Sequence, residues 1–304
     1  MRAYLGLAVM ISIGVALPAW AQESSNASGP APNGEDRVLG GHRFMVSDFV
    51  PAPFITTDFT ILTGLGLGSA NVAGAANQLG ALSEGVRLQV APIDWLSLRA
   101  GAAGIVLSGV NQDAALNYGA AVGYGLLGGA SAGWRFDRLR VAGSIDIEQD
   151  QSYNFNILSA IQQSVAAGAV NASTLLVNTS VLTITAGGQA AYGFSPAAGA
   201  FGAVQLASVS YSGSASQSDV TMAAGGGLSI DLGPVIRFPV GFLAAYNLLL
   251  DFPSSGASSA TSHQISGGVY YTGSSHLQLG VEGRATLETD LTIFEGVFCM
   301  RYFW

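Results

Sequence analysis

Leu139-Arg140-Val141-Ala142-Gly143-Ser144-Ile145-Asp146-Ile147-Glu148 decides the fold. In an extended chain successive side chains point to opposite faces, so Leu139, Val141, Ile145 and Ile147 form an apolar face against Arg140, Ser144, Asp146 and Glu148. The same split recurs at Leu277, Leu279, Val281 and Leu287 against Gln278, Glu282, Arg284 and Glu288. It runs longest over residues 117–136, where Tyr118, Val122, Tyr124, Leu126, Trp134 and Phe136 oppose Gly119, Gly123, Gly125, Gly129, Ser131 and Arg135. That is too long for an ordinary soluble strand, and one face wants lipid while the other wants water.

Working outward, the alternation predicts twelve strands, at 54–67, 82–90, 95–106, 117–136, 139–148, 181–194, 198–210, 220–232, 235–249, 263–272, 276–288 and 292–303. The connections predict which end is which. Ala91–Asp94, Asp137–Arg138, Ser195–Ala197, Gly233–Pro234 and Gly273–Ser275 are short, and Pro and Gly in them suit tight hairpins. Alternate connections, at 68–81, 107–116, 149–180, 211–219 and 251–262, are longer, and only the last of that set, Thr289–Leu291, is short. Short turns at one end and longer loops at the other are the habit of bacterial transmembrane barrels. The fold class that follows is all-β, a transmembrane antiparallel up-and-down barrel of about 12 strands, with 10 or 14 as neighbouring counts. A secreted soluble sandwich also alternates, but composition argues against it.

Mean hydropathy is +0.42 and charged residues are 10% of the chain, against roughly 25% in ordinary soluble domains. Glycine is abundant at 41 residues, lysine is absent, and the net charge is −8, which leaves no basic face for nucleic acid. One cysteine, Cys299, excludes an internal disulfide and any cysteine-rich metal site. The beginning of the chain reads as an export signal: Arg2, an apolar run from Leu5 to Leu17, then Ala19-Trp20-Ala21 before a cut at Gln22. Residues 22–53 read as a periplasmic leader, within which 36–53 is a candidate plug, and the barrel is expected over 54–304.

Phe294, Phe298, Met300, Tyr302 and Trp304 share one face of the last strand, and the chain stops on that aromatic residue. The stretch resembles the carboxy-terminal targeting signal of Gram-negative outer-membrane β-barrel proteins, with Phe298, Met300, Tyr302 and Trp304 as its alternating positions. It departs from the usual signal in placing Cys299 where a glycine is customary. The resemblance implies insertion by the barrel assembly machinery, contact with outer-membrane lipid and residence in the bacterial cell outer membrane.

The candidate site is the inward face. Arg87, Arg99, Arg135, Arg140, Asp146, Glu148, Arg237, Glu282, Arg284, Glu288, Glu295 and Arg301 are predicted to line the lumen, with Gln89 and Gln189 among them. Both signs together predict paired networks across neighbouring strands. Twelve strands leave a lumen between the filled eight-stranded case and the open sixteen-stranded one, and many small inward residues favour open volume. A helical spacing of Ile157, Leu158, Ile161, Val165 and Val170 predicts a short amphipathic helix within 149–180, which would constrict the mouth, cover it or simply project outward.

The function expected first is a channel or transporter for small polar solutes. The second is a plugged structural or surface-interaction barrel. Third is an outer-membrane hydrolase built on His263 with Asp251 and Ser262, the one Ser-His-acid grouping the chain offers. No catalytic residue, metal or cofactor is expected.

Overall fold

The computed structural model describes residues 35–72, 75–111, 116–155, 176–212, 217–254, 259–288 and 291–304. A 3-10 turn, Glu35–Arg37, leads into a two-stranded hairpin of β1 (Val38–Leu39) and β2 (His42–Arg43). The link is Gly40-Gly41, with φ of 56° and 84°, the two left-handed residues that a two-residue hairpin turn requires. The chain then runs extended to residue 57.

Twelve strands follow and close into a single barrel. They are β3 (Asp58–Val72), β4 (Ala75–Ile93), β5 (Leu96–Asn111), β6 (Leu116–Phe136), β7 (Leu139–Phe155), β8 (Leu176–Ser195), β9 (Ala198–Ser212), β10 (Gln217–Asp231), β11 (Val240–Phe252), β12 (Ala260–Tyr271), β13 (Leu277–Leu287) and β14 (Leu291–Phe303). Every strand pairs antiparallel with its neighbours in sequence, and β14 closes on β3 in a register that sets Glu295 opposite Gly66 and Arg301 opposite Thr60. Closure satisfies every ladder and leaves no edge, which is what lets strands cross lipid.

The alternation behaves as the sequence dictates. Leu65 and Leu67 stand 69% and 74% exposed on the outside, and Leu126, Ile145, Leu206, Val281 and Phe294 join them in an apolar band. Such a surface in water would be a large exposed patch; against acyl chains it is the expected face. Trp95, Trp134, Phe136, Phe194, Tyr271, Tyr302 and Trp304 point outward near the short turns, forming an aromatic girdle where a bilayer meets water. Phe298, Met300, Tyr302 and Trp304 lie on this outer face, and Cys299, Arg301 and Phe303 point in.

Several sequence expectations are corrected. Residues 54–57 belong to the segment before the barrel, which begins at Asp58. The strands also extend further toward the long-loop end than predicted. Most of 68–81, for instance, is ladder, with Ser69 paired to Gln78 and Asn71 to Ala76. Backbone pairing needs no apolar face, so a ladder can continue where the apolar alternation of the sequence fades. Residues 149–155 and 176–180 are likewise strand, and Ile157, Leu158, Ile161, Val165 and Val170, where a helix was predicted, lie outside the described residues. β11 starts at Val240 and not at 235, because Gly233–Ile236 form a single helical turn, α1, with Pro234 in its first turn.

Candidate functional site in the barrel interior

Residues 36–57 lie inside the barrel at the short-turn end. The segment is unusually apolar for a leader, and Leu39, Phe44, Met45, Val46, Phe49, Val50, Ala52, Phe54 and Ile55 bury themselves against inward-facing Ala191, Phe201, Ala203, Leu243, Ala245 and Tyr270. Its backbone polar groups find partners on the wall, as buried backbone must. Gln278 accepts from Val46 N–H (3.1 Å) and from Arg37 Nη1 (2.8 Å), and donates from Nε2 to Val46 O (2.8 Å). Met45 N–H donates to Ser229 Oγ (3.2 Å), Arg140 Nε to Pro53 O (3.0 Å) and Gln89 Nε2 to Thr56 O (2.9 Å). His42 bridges Pro196 O and Ser229 Oγ at 3.2 and 3.0 Å. Burial lowers the His42 pKa, outweighing Asp231 and the Pro196 carbonyl, so the ring is neutral at pH 7.

The centre of this packing is ionic. Asp48, carried by the segment, receives Arg87 Nη2 from β4 at 2.8 Å and Arg301 Nη2 from β14 at 2.7 Å. Arg301 Nε also donates to Thr60 Oγ1 on β3 (2.9 Å), and Arg87 Nη2 approaches the same oxygen (3.3 Å). Three adjacent strands and the segment therefore meet at one buried point. Burial alone would raise the Asp48 pKa, but Arg87 and Arg301 outweigh it and hold the carboxyl below its ordinary value.

Two further networks are built on the wall. Arg99 on β5 forms a two-pronged pair with Asp146 on β7 and donates to Ser131 Oγ on β6 between them (3.0 Å). Gly129 makes this reach feasible, since a methyl there would overlap the Asp146 carboxylate and Arg99 Nε. On β13, Glu282 receives Arg284 (2.9 Å), Ser266 Oγ (3.3 Å) and the Tyr270 hydroxyl. In this half every barrel strand carries a buried inward residue, from Asp58 and Gln89 on β3 and β4 round to Phe303 on β14.

Toward the long-loop end the interior changes character. Inward positions there include Ala103, Ala121, Gly123, Thr183, Thr185, Ala207, Thr221 and Ala223, all partly accessible to solvent. Carboxylates of Glu148, Asp150 and Glu295 punctuate this wall, Glu295 accepting from Ser83 Oγ at 2.7 Å. Among the described residues the interior is thus a cup, its upper wall accessible to solvent and its lower half filled.

Of the predicted lining residues, Arg87, Arg99, Arg140, Asp146, Glu282, Arg284 and Arg301 gather in the filled half, Glu148 and Glu295 line the cup, and Arg135 faces the short-turn mouth. Two expectations fail. Arg237 is on no strand; it ends α1 in a left-handed conformation (φ 53°) at the rim. Glu288 lies exposed beyond the end of β13. The ion pairs mostly do not follow the predicted pairing across neighbouring strands: Arg99 reaches Asp146 across the intervening β6, Arg284 pairs with Glu282 on its own strand, and the acid serving Arg87 and Arg301 is Asp48, while Arg301 and Asp58, 4.0 Å apart, do face each other from adjacent strands. Sequence reasoning missed Asp48; the signal was a lone acid inside the apolar run Phe44–Ile55. His263 points outward and bonds the Tyr246 hydroxyl (2.7 Å), whereas Ser262 points inward and is buried, so the Ser-His-acid grouping is not assembled.

No family model matches the chain, and no curated protein matches it. Solved structures do. The transport unit of the autotransporter AIDA-I from Escherichia coli is 12% identical, with TM-score 0.57, over 82% of this chain and 90% of that one. The translocator domain of the autotransporter NalP from Neisseria meningitidis is 11% identical (TM-score 0.55; 82% and 88%). An outer-membrane channel from Pseudomonas putida F1 is 10% identical (TM-score 0.55; 86% and 99%). Such identities speak for the fold, and with the lipid-facing band they give this chain the fold of the Gram-negative outer-membrane β-barrels, whose membrane its outer surface is built to span.

Proposed function

We propose that the barrel is a channel for small polar solutes whose passage is governed by residues 36–57. The observation that supports this reading is the division of the lumen: a cup lined by small, solvent-accessible residues above a short-turn half filled by a segment held without covalent bonds. A purely structural barrel gains nothing from keeping the cup open, since larger side chains at Gly and Ala positions would fill it with stabilising contacts. The likeness to a Pseudomonas channel is in keeping with this reading; so is the matching of Asp48, the carboxylate at the centre of the packing, by Arg87 and Arg301. A translocator, the other function named among the similar structures, needs chain to run the whole lumen. Here residues 36–57 enter and leave at the same end, with Arg37 beside Ser275 O and Trp304 N–H bonded to Thr57 O.

The chain supplies its own test. Cys299 Sγ lies 4.0 Å from Asp48 Oδ2, so Asp48→Cys places two thiols together across the segment and the wall. Oxidised, the variant should be silent in a planar bilayer; reduced, it lacks the Asp48 anchor and should conduct in stable steps. Equal currents in the two redox states, with the disulfide verified by mass, would contradict the reading.

A further inference from the structure

A cavity of about 640 Å³ opens at the short-turn mouth, beneath the segment. Its lining includes Arg43 from β2, Arg135 from the end of β6 and Arg237 from the end of α1, against a single carboxylate, Asp231. We propose that this cavity binds a phosphate-bearing anion.

The three arginines come from separate elements and line one space, an arrangement that can recognise a phosphate through several charge-assisted hydrogen bonds. Asp231, whose Oδ1 accepts from Gly233 N–H and from Thr272 Oγ1, each at 2.9 Å, offsets one of the three positive charges and leaves two in excess. Arg43 donates Nη1 to Thr272 O (3.3 Å), and its Nε is buried with no acceptor. Arg237 carries the clearest mark of use. It occupies the left-handed position after a helical turn, where glycine is the ordinary choice, and an arginine there bears a conformational cost that glycine would not. The volume is that of a small-molecule site. Because Arg43 belongs to the segment while Arg135 and Arg237 belong to the wall, a bound anion would tie the two together from below.

The phosphate has two potential sources. One is a soluble anion at the mouth; the other is a phospholipid headgroup, since Val235, Ile236 and Phe238 stand exposed beside Arg237. The experiment separates them. The refolded full chain in zwitterionic detergent is titrated with inorganic pyrophosphate by calorimetry, and is examined by native mass spectrometry after exposure to phosphatidylglycerol and phosphatidylcholine. Arg237→Gly, which removes the guanidinium and relieves the backbone, and Arg43→Met are compared with Arg138→Gln, whose guanidinium bonds Phe194 O outside the cavity. Pyrophosphate binding that weakens tenfold or more in both cavity variants but not in Arg138→Gln supports a soluble ligand. Selective retention of phosphatidylglycerol, lost in the same two variants, supports a lipid headgroup. Binding of neither probe, or equal binding by all four proteins, overturns the proposal.

Discussion

Asp48 is one carboxylate between two buried arginines, and the energetics of that arrangement are asymmetric. Two charges in a low-dielectric interior are tolerable while matched, and removing one partner typically costs about 3–5 kcal/mol because the other is left uncompensated. Asp48→Asn should therefore loosen residues 36–57 without unfolding the barrel, measured as faster trypsin cleavage at Arg37 and Arg43 while the heat-modifiable gel shift persists. The pH dependence has a definite sign. The Asp48 carboxyl titrates below its unfolded value, so its contribution is complete above the ordinary carboxylate range and is lost as pH falls through the lowered value. Protease access should stay low from pH 7 to about 4 and rise only below that, and Asn at position 48 should flatten this dependence. Gly129→Ala acts elsewhere on the wall: by displacing the Asp146 carboxylate from Arg99 it should lower the unfolding midpoint while leaving trypsin access to the segment unchanged.

At the scale of elements, the hairpin of β1 and β2 is set by its turn. Gly40 and Gly41 both have positive φ, a conformation that costs an L-residue roughly 1–2 kcal/mol. Gly41→Ala should raise the rate of segment release several-fold, read as protease access, whereas Gly80→Ala, in an open stretch of β4, should change nothing. The barrel strands themselves were legible in the sequence because lipid on one side and a polar lumen on the other force strict period two, as at Leu139–Glu148. Their upper limits were not, since pairing there, as between Ser69 and Gln78, is a backbone matter that side-chain alternation does not mark. The start of β11 was hidden for a different reason. Val235 and Ile236 read as strand residues, yet Pro234 fits the first turn of a helix and the chain takes one turn at the rim before Val240.

For the whole molecule, the outer band and the inner wall respond to charge in opposite ways. Leu206→Arg, at an exposed outward position, should destabilise the folded barrel in lipid vesicles by about 2–4 kcal/mol if it sits near the midplane, and Ala207→Arg, one residue on and facing the cup, by much less. Chemical unfolding in vesicles measures both. The class of fold and the inward set were largely readable from the chain, down to Arg87, Arg99 and Arg301. What they pair with was not, because Asp48 is 39 residues from Arg87 and 253 from Arg301 in sequence and carries no periodicity that marks it. Contacts between a threaded segment and a barrel wall are set by closure of the whole sheet, which no local pattern records. The central claim, that residues 36–57 govern passage through an otherwise open lumen, is tested most directly by planar-bilayer conductance of the intact chain beside a chain lacking 36–53. Water entering the vacated half would solvate Arg87 and Arg301, so the shortened barrel should still fold and show the heat-modifiable shift. Stable conductance steps are expected from the shortened barrel and rare or no steps from the intact one; a folded, shortened barrel that stays silent, or equal conductance from both, would show that residues 36–57 do not govern passage.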